Sequence, residues 1–187
     1  MDWSILFMGP VGAGKTQAVQ TLSEIAVVDT DVAATDSTAI IKDTTTVSMD
    51  AGVLDLGEGD RIHLIGAPGQ DRFDFMWDIL LEQAKAVALL IDHRRDSRLS
   101  DLDHYLDNIG ERLRGRHLPL AIGATHMDMR HTVPLSIYKD HLSDHMPDFV
   151  SGVPAVMGVD ARDADDVRAM VVSLAAMVEM HERHVRH

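Results

Sequence analysis

Gly9-Pro10-Val11-Gly12-Ala13-Gly14-Lys15-Thr16 follows directly on the apolar run from Trp3 to Met8 and satisfies the spacing G-x-x-x-x-G-K-[ST] at every fixed position. Glycines so spaced let a loop close on a helix N-terminus with its backbone N–H groups turned inward, where they cradle phosphate oxygens. Lys15 then reaches the outer phosphates, and the Thr16 hydroxyl is placed as a magnesium ligand. A strand, this loop and a helix in succession predict a site for a nucleoside di- or triphosphate over Gly9 to Thr16, with Gln17 beside it.

Outward from the loop, short apolar runs alternate with longer amphipathic stretches. The runs are Ile5–Met8, Val47–Leu56, Ile62–Ile65, Ala86–Ile91, Leu118–Ala124 and Val153–Val159. Helical patterns cover Lys15–Ile25, Phe73–Lys85, Ser100–Leu113, Pro134–His145 and Asp163–Arg183. In the last of these, Val167, Met170, Val171, Leu174 and Val178 share one face. Leu102, Tyr105, Leu106, Ile109 and Leu113 repeat that spacing behind Ser100-x-x-Asp103, a capping-box-like start. Such alternation predicts a three-layer α/β domain spanning the chain, with about six mostly parallel strands and helices on both faces. Val47–Leu56 and Arg61–Ile65, joined by Gly57-Glu58-Gly59-Asp60, read as a hairpin that puts one antiparallel strand at the sheet edge. Ala26 to Thr46 shows no periodicity and is expected to be a mobile surface segment.

The 187 residues are 45% hydrophobic but only 4% aromatic, so the core must be built from Val, Ile, Leu, Met and Ala. A formal charge of −13 argues against nucleic acid or an anionic membrane as partner, since both attract basic surfaces. The absence of cysteine excludes disulfides, thiol catalysis and Cys-ligated zinc, and is compatible with the reducing cytoplasm, where we expect the protein. No apolar run reaches the ~18 residues needed to span a bilayer. Neither end carries a signal peptide, myristoylation site or prenylation box, so no direct membrane anchor is expected.

In an open α/β sheet, sites form at the carboxyl ends of the strands. Behind the Ile62–Ile65 run stands Gly66-Ala67-Pro68-Gly69-Gln70-Asp71-Arg72-Phe73. Gly69 there can donate its N–H to a γ-phosphate and Gln70 can orient the attacking water; the alternative is a Pro-Gly turn with a solvated Gln. Behind the Leu118–Ala124 run stands Thr125-His126-Met127-Asp128. A carboxylate at Asp128 can accept from the guanine N1–H and 2-amino group, whereas adenine offers neither donor and turns a lone pair toward it. Alone, Asp128 would read as a helix N-cap or loop acid. Before the hairpin, Lys42-Asp43-Thr44-Thr45-Thr46 offers a threonine to complete the magnesium shell and sense the γ-phosphate. Three consecutive threonines leave the register open; Thr46 is the first candidate and Thr45 the second.

Phosphate loop, switch threonine, P-G-Q turn, the acid Asp128 and the late Gly158-Val159-Asp160-Ala161-Arg162 come in the order of the Ras-like small GTPases. From about Trp3 to Met180 the chain resembles the bacterial branch, similar to gliding-motility polarity GTPases and conservon ATP/GTP-binding proteins. Thr45-Thr46-Val47-Ser48-Met49-Asp50 and Pro68-Gly69-Gln70-Asp71-Arg72-Phe73, with Phe75-Met76-Trp77 behind, are its more specific stretches. The resemblance implies a P-loop G domain that binds GTP or GDP with Mg2+ and hydrolyses GTP slowly. It makes Gln70, Lys15 and Gly69 the catalytic group. It places Asp160, Ala161 and Arg162 at the base, with the Ala161 N–H on the guanine carbonyl. It also implies a GTPase-activating partner of the roadblock type, and effectors reading Thr44–Asp50 and Gly66–Leu81.

The chain departs from that pattern in places. Gly66 stands where the general family has the magnesium-holding Asp of D-x-x-G, a loss the bacterial branch often shares, and Asp92 is a candidate substitute. Thr125 and His126 replace the Asn and Lys of N-K-x-D; His126 can still stack on a base. No arginine directly precedes the threonines, and Arg72 serves structure in relatives with this motif. These departures leave a binding-only, nucleotide-gated scaffold as the alternative, and a P-loop small-molecule kinase behind it. Outside the pocket, Phe73, Met76, Trp77 and Leu80 fit one core stripe while Phe75 and Ile79 fall off it, suggesting either a docking surface or burial against another helix. His181, His184 and His187 read as a frayed, solvated helix end.

Overall fold

The computed structural model describes residues 2–24, 28–29, 49–57, 59–70, 73–129 and 133–185. Their strands are β1 (Asp2–Met8), β2 (Val28–Asp29), β3 (Asp50–Gly57), β4 (Asp60–Gly66), β5 (Ala86–Asp92), β6 (Leu120–Thr125) and β7 (Ala155–Gly158). The helices are α1 (Lys15–Leu22), α2 (Phe75–Gln83), α3 (Arg98–Leu113), α4 (Ser136–Asp144) and α5 (Ala164–Val185). They form one mixed sheet in the order β2-β3-β4-β1-β5-β6-β7. The neighbours from β4 through β7 pair in parallel, and β3 pairs antiparallel with both β2 and β4.

The inverted strand is thus the expected one, but it does not lie at the edge. Val28 and Asp29, inside a stretch without periodicity, pair with Ala51 and Asp50 and take the outer position. β5 is buried at all seven positions, as a parallel strand covered on both faces must be. One core lies between the sheet and α2, α3 and α4, with Trp77, Tyr105, Ile109 and Tyr138 in it. The other lies against α1 and α5, with Val19, Leu22, Val171 and Leu174. Most of the residues in both are aliphatic, each contributing about 1.5–3 kcal/mol on full burial.

Helix α3 buries the five residues its spacing singled out, but its start differs from expectation. The helix opens at Arg98 behind Ser97, whose Oγ donates to Asp101 Oδ2 at 3.2 Å. Ser100 instead donates to the Ser97 carbonyl, and Asp103 accepts from His141 Nε2 on α4. Helix α5 runs on to Val185, and His181 is braced rather than solvated: its Nδ1 lies 2.7 Å from Ser151 Oγ. No helix among the described residues is long and apolar enough to cross a membrane.

Among the described glycines, the one with least room for a side chain lies where β1 ends. Gly9 has φ 138°, and a Cβ there would stand 2.0 Å from the Leu90 carbonyl oxygen in β5. Gly9→Ala is therefore expected to cost roughly 3 kcal/mol or more, read as a lower urea midpoint with unchanged slope.

Candidate functional site

The parallel strands all deliver their carboxyl ends to one rim, and the residues singled out by sequence gather there. β1 feeds the loop Gly9–Gly14, whose turns need the positive φ of Gly12 (80°) and Gly14 (97°). The loop closes on α1 with Ala13 N–H donating to the Pro10 carbonyl. The N–H groups of Gly12, Gly14, Lys15 and Thr16 have no hydrogen-bond partner among the described residues. Free amides at a helix N-terminus are donors of the kind an anion accepts from.

Lys15 is buried, and its Nζ donates to the Gly9 and Pro10 carbonyls at 2.7 and 2.8 Å. That burial pushes its pKa down to about 8, with the Asp50 carboxylate acting in the opposite direction. The ammonium is held over the loop, ready for anionic oxygens.

Asp50 is the residue that sequence reasoning missed. It faces Gly66 directly across the β3–β4 ladder. A Cβ on Gly66 would stand 3.1 Å from Asp50 Oδ2 and 3.2 Å from its Cβ, so the Asp50 side chain fills the space beside the bare glycine. Thr16 Oγ1 donates to that Oδ2 at 2.5 Å. A carboxylate is thus delivered to the Thr16 hydroxyl from the neighbouring strand. Carboxylate and hydroxyl oxygens are the donors a hard divalent cation such as Mg2+ takes, so the residues present fit that ion.

Asp92, the candidate substitute, is engaged elsewhere. Its Oδ1 accepts from Arg94 N and Nε and its Oδ2 from Arg94 Nη2, at 3.0, 3.0 and 2.7 Å. Burial alone would raise its pKa, but these bonds outweigh that and lower it.

Past the loop lies a cleft of about 500 Å³, lined among others by Gly14, Gln17, His126, Asp128, Ala161 and Arg162. Asp128 sits on a 3-10 turn, Met127–Met129, directly after β6, with its side chain 59% exposed. His126 takes the left-handed conformation (φ 58°), and its Nε2 lies 3.0 Å from the Gly12 carbonyl, which as an acceptor sets Nε2 as the donor. The ring braces the cleft wall against the phosphate loop. Thr125 is buried, with its Oγ1 donating to the Ile91 carbonyl at 3.3 Å.

The Ala161 N–H has no partner among the described residues, while its carbonyl accepts from Thr21 Oγ1 on α1 at 2.8 Å. Asp160 binds Arg162 through both oxygens, at 2.8 and 2.6 Å, and the guanidinium brings its pKa down to about 2. Arg162 Nη2 also reaches Asp128 Oδ2 at 3.4 Å.

The turn after β4 closes over the loop. A Cβ on Gly69 would stand 2.6 Å from Lys15 Nζ and 2.9 Å from the Gly9 carbonyl oxygen, so only glycine fits this close. Gln70 follows it, exposed. On α2 and just before it, Phe73, Met76, Trp77 and Leu80 are buried while Phe75 and Ile79 stay 48% and 47% exposed, as the stripe predicts. Thr44, Thr45, Thr46, Asp71 and Arg72 lie outside the described residues, as does His187.

No protein-family model matches this chain, and no curated protein matches its sequence.

The lowered pKa of Lys15 carries a pH signature. A bound phosphate stabilises the ammonium and raises its pKa, so binding above about pH 8 takes up a proton and affinity falls as pH rises past that point. Calorimetry of GDP binding at about pH 9, in buffers of different ionisation enthalpy, should show uptake that vanishes at about pH 6.5 and in Lys15→Met.

Proposed function

We propose that this chain is a GTP-binding molecular switch that slowly hydrolyses GTP to GDP, built on a P-loop G domain of the Ras-like bacterial type. The observation that carries this reading is continuity: the cleft holding Asp128 and the free Ala161 N–H is bordered by Gly14, the last residue of the phosphate loop, and by Gln17 in the first turn of α1. Guanine would give its N1–H and 2-amino hydrogens to Asp128 and accept at its carbonyl from Ala161. An adenine ring would offer Asp128 neither donor and would turn its N1 lone pair toward the carboxylate.

Under this proposal the free amides of Gly12, Gly14, Lys15 and Thr16 receive the phosphate oxygens and Lys15 neutralises the outer ones. The Gly69 N–H meets the γ-phosphate, and Gln70 aligns the attacking water. Magnesium, when bound, supplies charge neutralisation between the β- and γ-phosphates, and Thr16 and Asp50 are the residues that would hold it, with Thr46 or Thr45 added in the triphosphate state. The carboxylate of Asp50 beside Thr16 favours hydrolysis over a binding-only scaffold. No arginine directly precedes the switch threonines, so we expect unaided turnover to be slow and a regulatory protein to accelerate it. Effectors then read Thr44–Asp50 and Gly66–Leu81, where Phe75 and Ile79 offer apolar contact.

Single-turnover assays with GTP and Mg2+ test this directly. Wild type should release phosphate slowly, and Asp50→Ala should slow that release by about tenfold or more while melting at a similar temperature. If wild type releases none, with or without a candidate activating partner, the hydrolysis claim fails. Asp128→Asn should weaken GTP by about tenfold and favour xanthosine triphosphate, whose 2-position is an acceptor; unchanged GTP affinity would remove Asp128 from the base site.

A further inference from the structure

The turn that meets the phosphate loop is held from behind by three donors. Trp77 Nε1–H donates to the Pro68 carbonyl at 3.1 Å, Tyr105 O–H to the Gly69 carbonyl at 3.4 Å, and Phe73 N–H to the Gln70 carbonyl at 3.0 Å. In a trans peptide the C=O and the following N–H point in opposite directions, and no described peptide bond is cis. Anchoring the Pro68 and Gly69 carbonyls on the core side therefore turns the N–H groups of Gly69 and Gln70 the other way. Neither N–H has a partner among the described residues. Gly69 itself is packed against Lys15 Nζ and the Gly9 carbonyl, so that other way is the phosphate loop.

The two aromatic donors are themselves fixed. Trp77 and Tyr105 are 1% and 3% exposed, with ring centroids 5.2 Å apart and planes tilted by 32°. The Arg112 guanidinium lies 5.4 Å from the Trp77 ring centroid and binds Asp74, just before α2, at 2.9 Å. The aromatic pair is thus packed at the contact of α2 with α3, with Arg112 against the Trp77 ring.

We infer that Trp77 and Tyr105 are positioning residues that pre-aim the Gly69 and Gln70 N–H groups at the phosphate one place beyond the diphosphate. The inference rests on the reading of the loop as a nucleotide site. It adds that discrimination between tri- and diphosphate is set by side chains on α2 and α3 that never touch the nucleotide. An amide that needs no reorientation loses nothing when the charge arrives. GDP places no group there, so the two aromatics act on the triphosphate alone.

The test is titration of the full chain, with Mg2+, by GDP and by the non-hydrolysable β,γ-imido analogue of GTP. Trp77→Phe removes the indole N–H, Tyr105→Phe removes only the hydroxyl, and the double variant removes both. The double variant should hold GDP within about twofold of wild type and lose about tenfold for the analogue, as expected for weakened bonds to a charged group. Tyr105→Phe alone should lose about threefold for the analogue, and it decides the matter by itself if circular dichroism shows that the Trp77 variants do not fold. Equal losses for both nucleotides, or none for the analogue, would overturn the positioning role while leaving nucleotide binding intact. A wild-type chain that binds neither ligand would overturn the switch reading and this inference with it.

Discussion

Gly9 lies against the Leu90 carbonyl with no room for a side chain, and the upper rim of the sheet takes its geometry from that approach. β1 and β5 are parallel neighbours through Met8 and Leu89, so the chain leaving β1 must pass the next residue of β5 at backbone distance. A glycine with φ 138° does this and lets the loop turn over the strand ends. The Gly9 and Pro10 carbonyls then face Lys15, which anchors its ammonium on them. Gly69 can close on the same spot because it too is bare. Two glycines from different strands thus meet over one lysine. The loop is held by close backbone packing at these glycines and by Lys15 and His126 on its carbonyls.

The exchange between Gly66 and Asp50 follows the same logic of space. Residues opposite one another on an antiparallel pair point to the same face about 5 Å apart, so a carboxylate missing from one strand can be supplied by its neighbour. Asp50 does so only because β3 runs against β4. A parallel strand there would bring in a different residue. The inverted strand accordingly brings Asp50 to the Thr16 hydroxyl, and the short β2 beyond it keeps β3 from being the open edge.

Strand and helix identities were legible because the core is aliphatic and periodic. The buried faces of α3 and α5 are the residues their spacing picks out, and the all-apolar β5 is buried on both sides. The phosphate loop, Asp128, Ala161 and the Gly69 turn were legible because each is local in sequence and ends a strand. Asp50 was not. Finding it requires the exact register of the hairpin, and the pairing shifts between Asp55 and Gly57. A one-residue slip moves every side chain to the other face, so counting across the turn without that irregularity misplaces Asp50. The start of α3 was misread for a related reason: Ser97 and Ser100 both precede helical residues, and only the backbone selects between them. The carbonyl bonds of Trp77 and Tyr105 leave no mark in sequence, where both residues look like ordinary core.

The bond from Thr21 to the Ala161 carbonyl and the contact of Gly14 with Ala161 have a consequence for how tightly a spanning ligand is gripped. They join the phosphate loop, α1 and the wall of the neighbouring cleft into one stiff body, with His126 tied to Gly12 as a second strut. Such a body behaves as a ruler of fixed length. A nucleotide that reaches both ends loses its translational freedom once and collects both sets of contacts, so the two contributions multiply in the binding constant. A free base or a free pyrophosphate would each bear that loss alone.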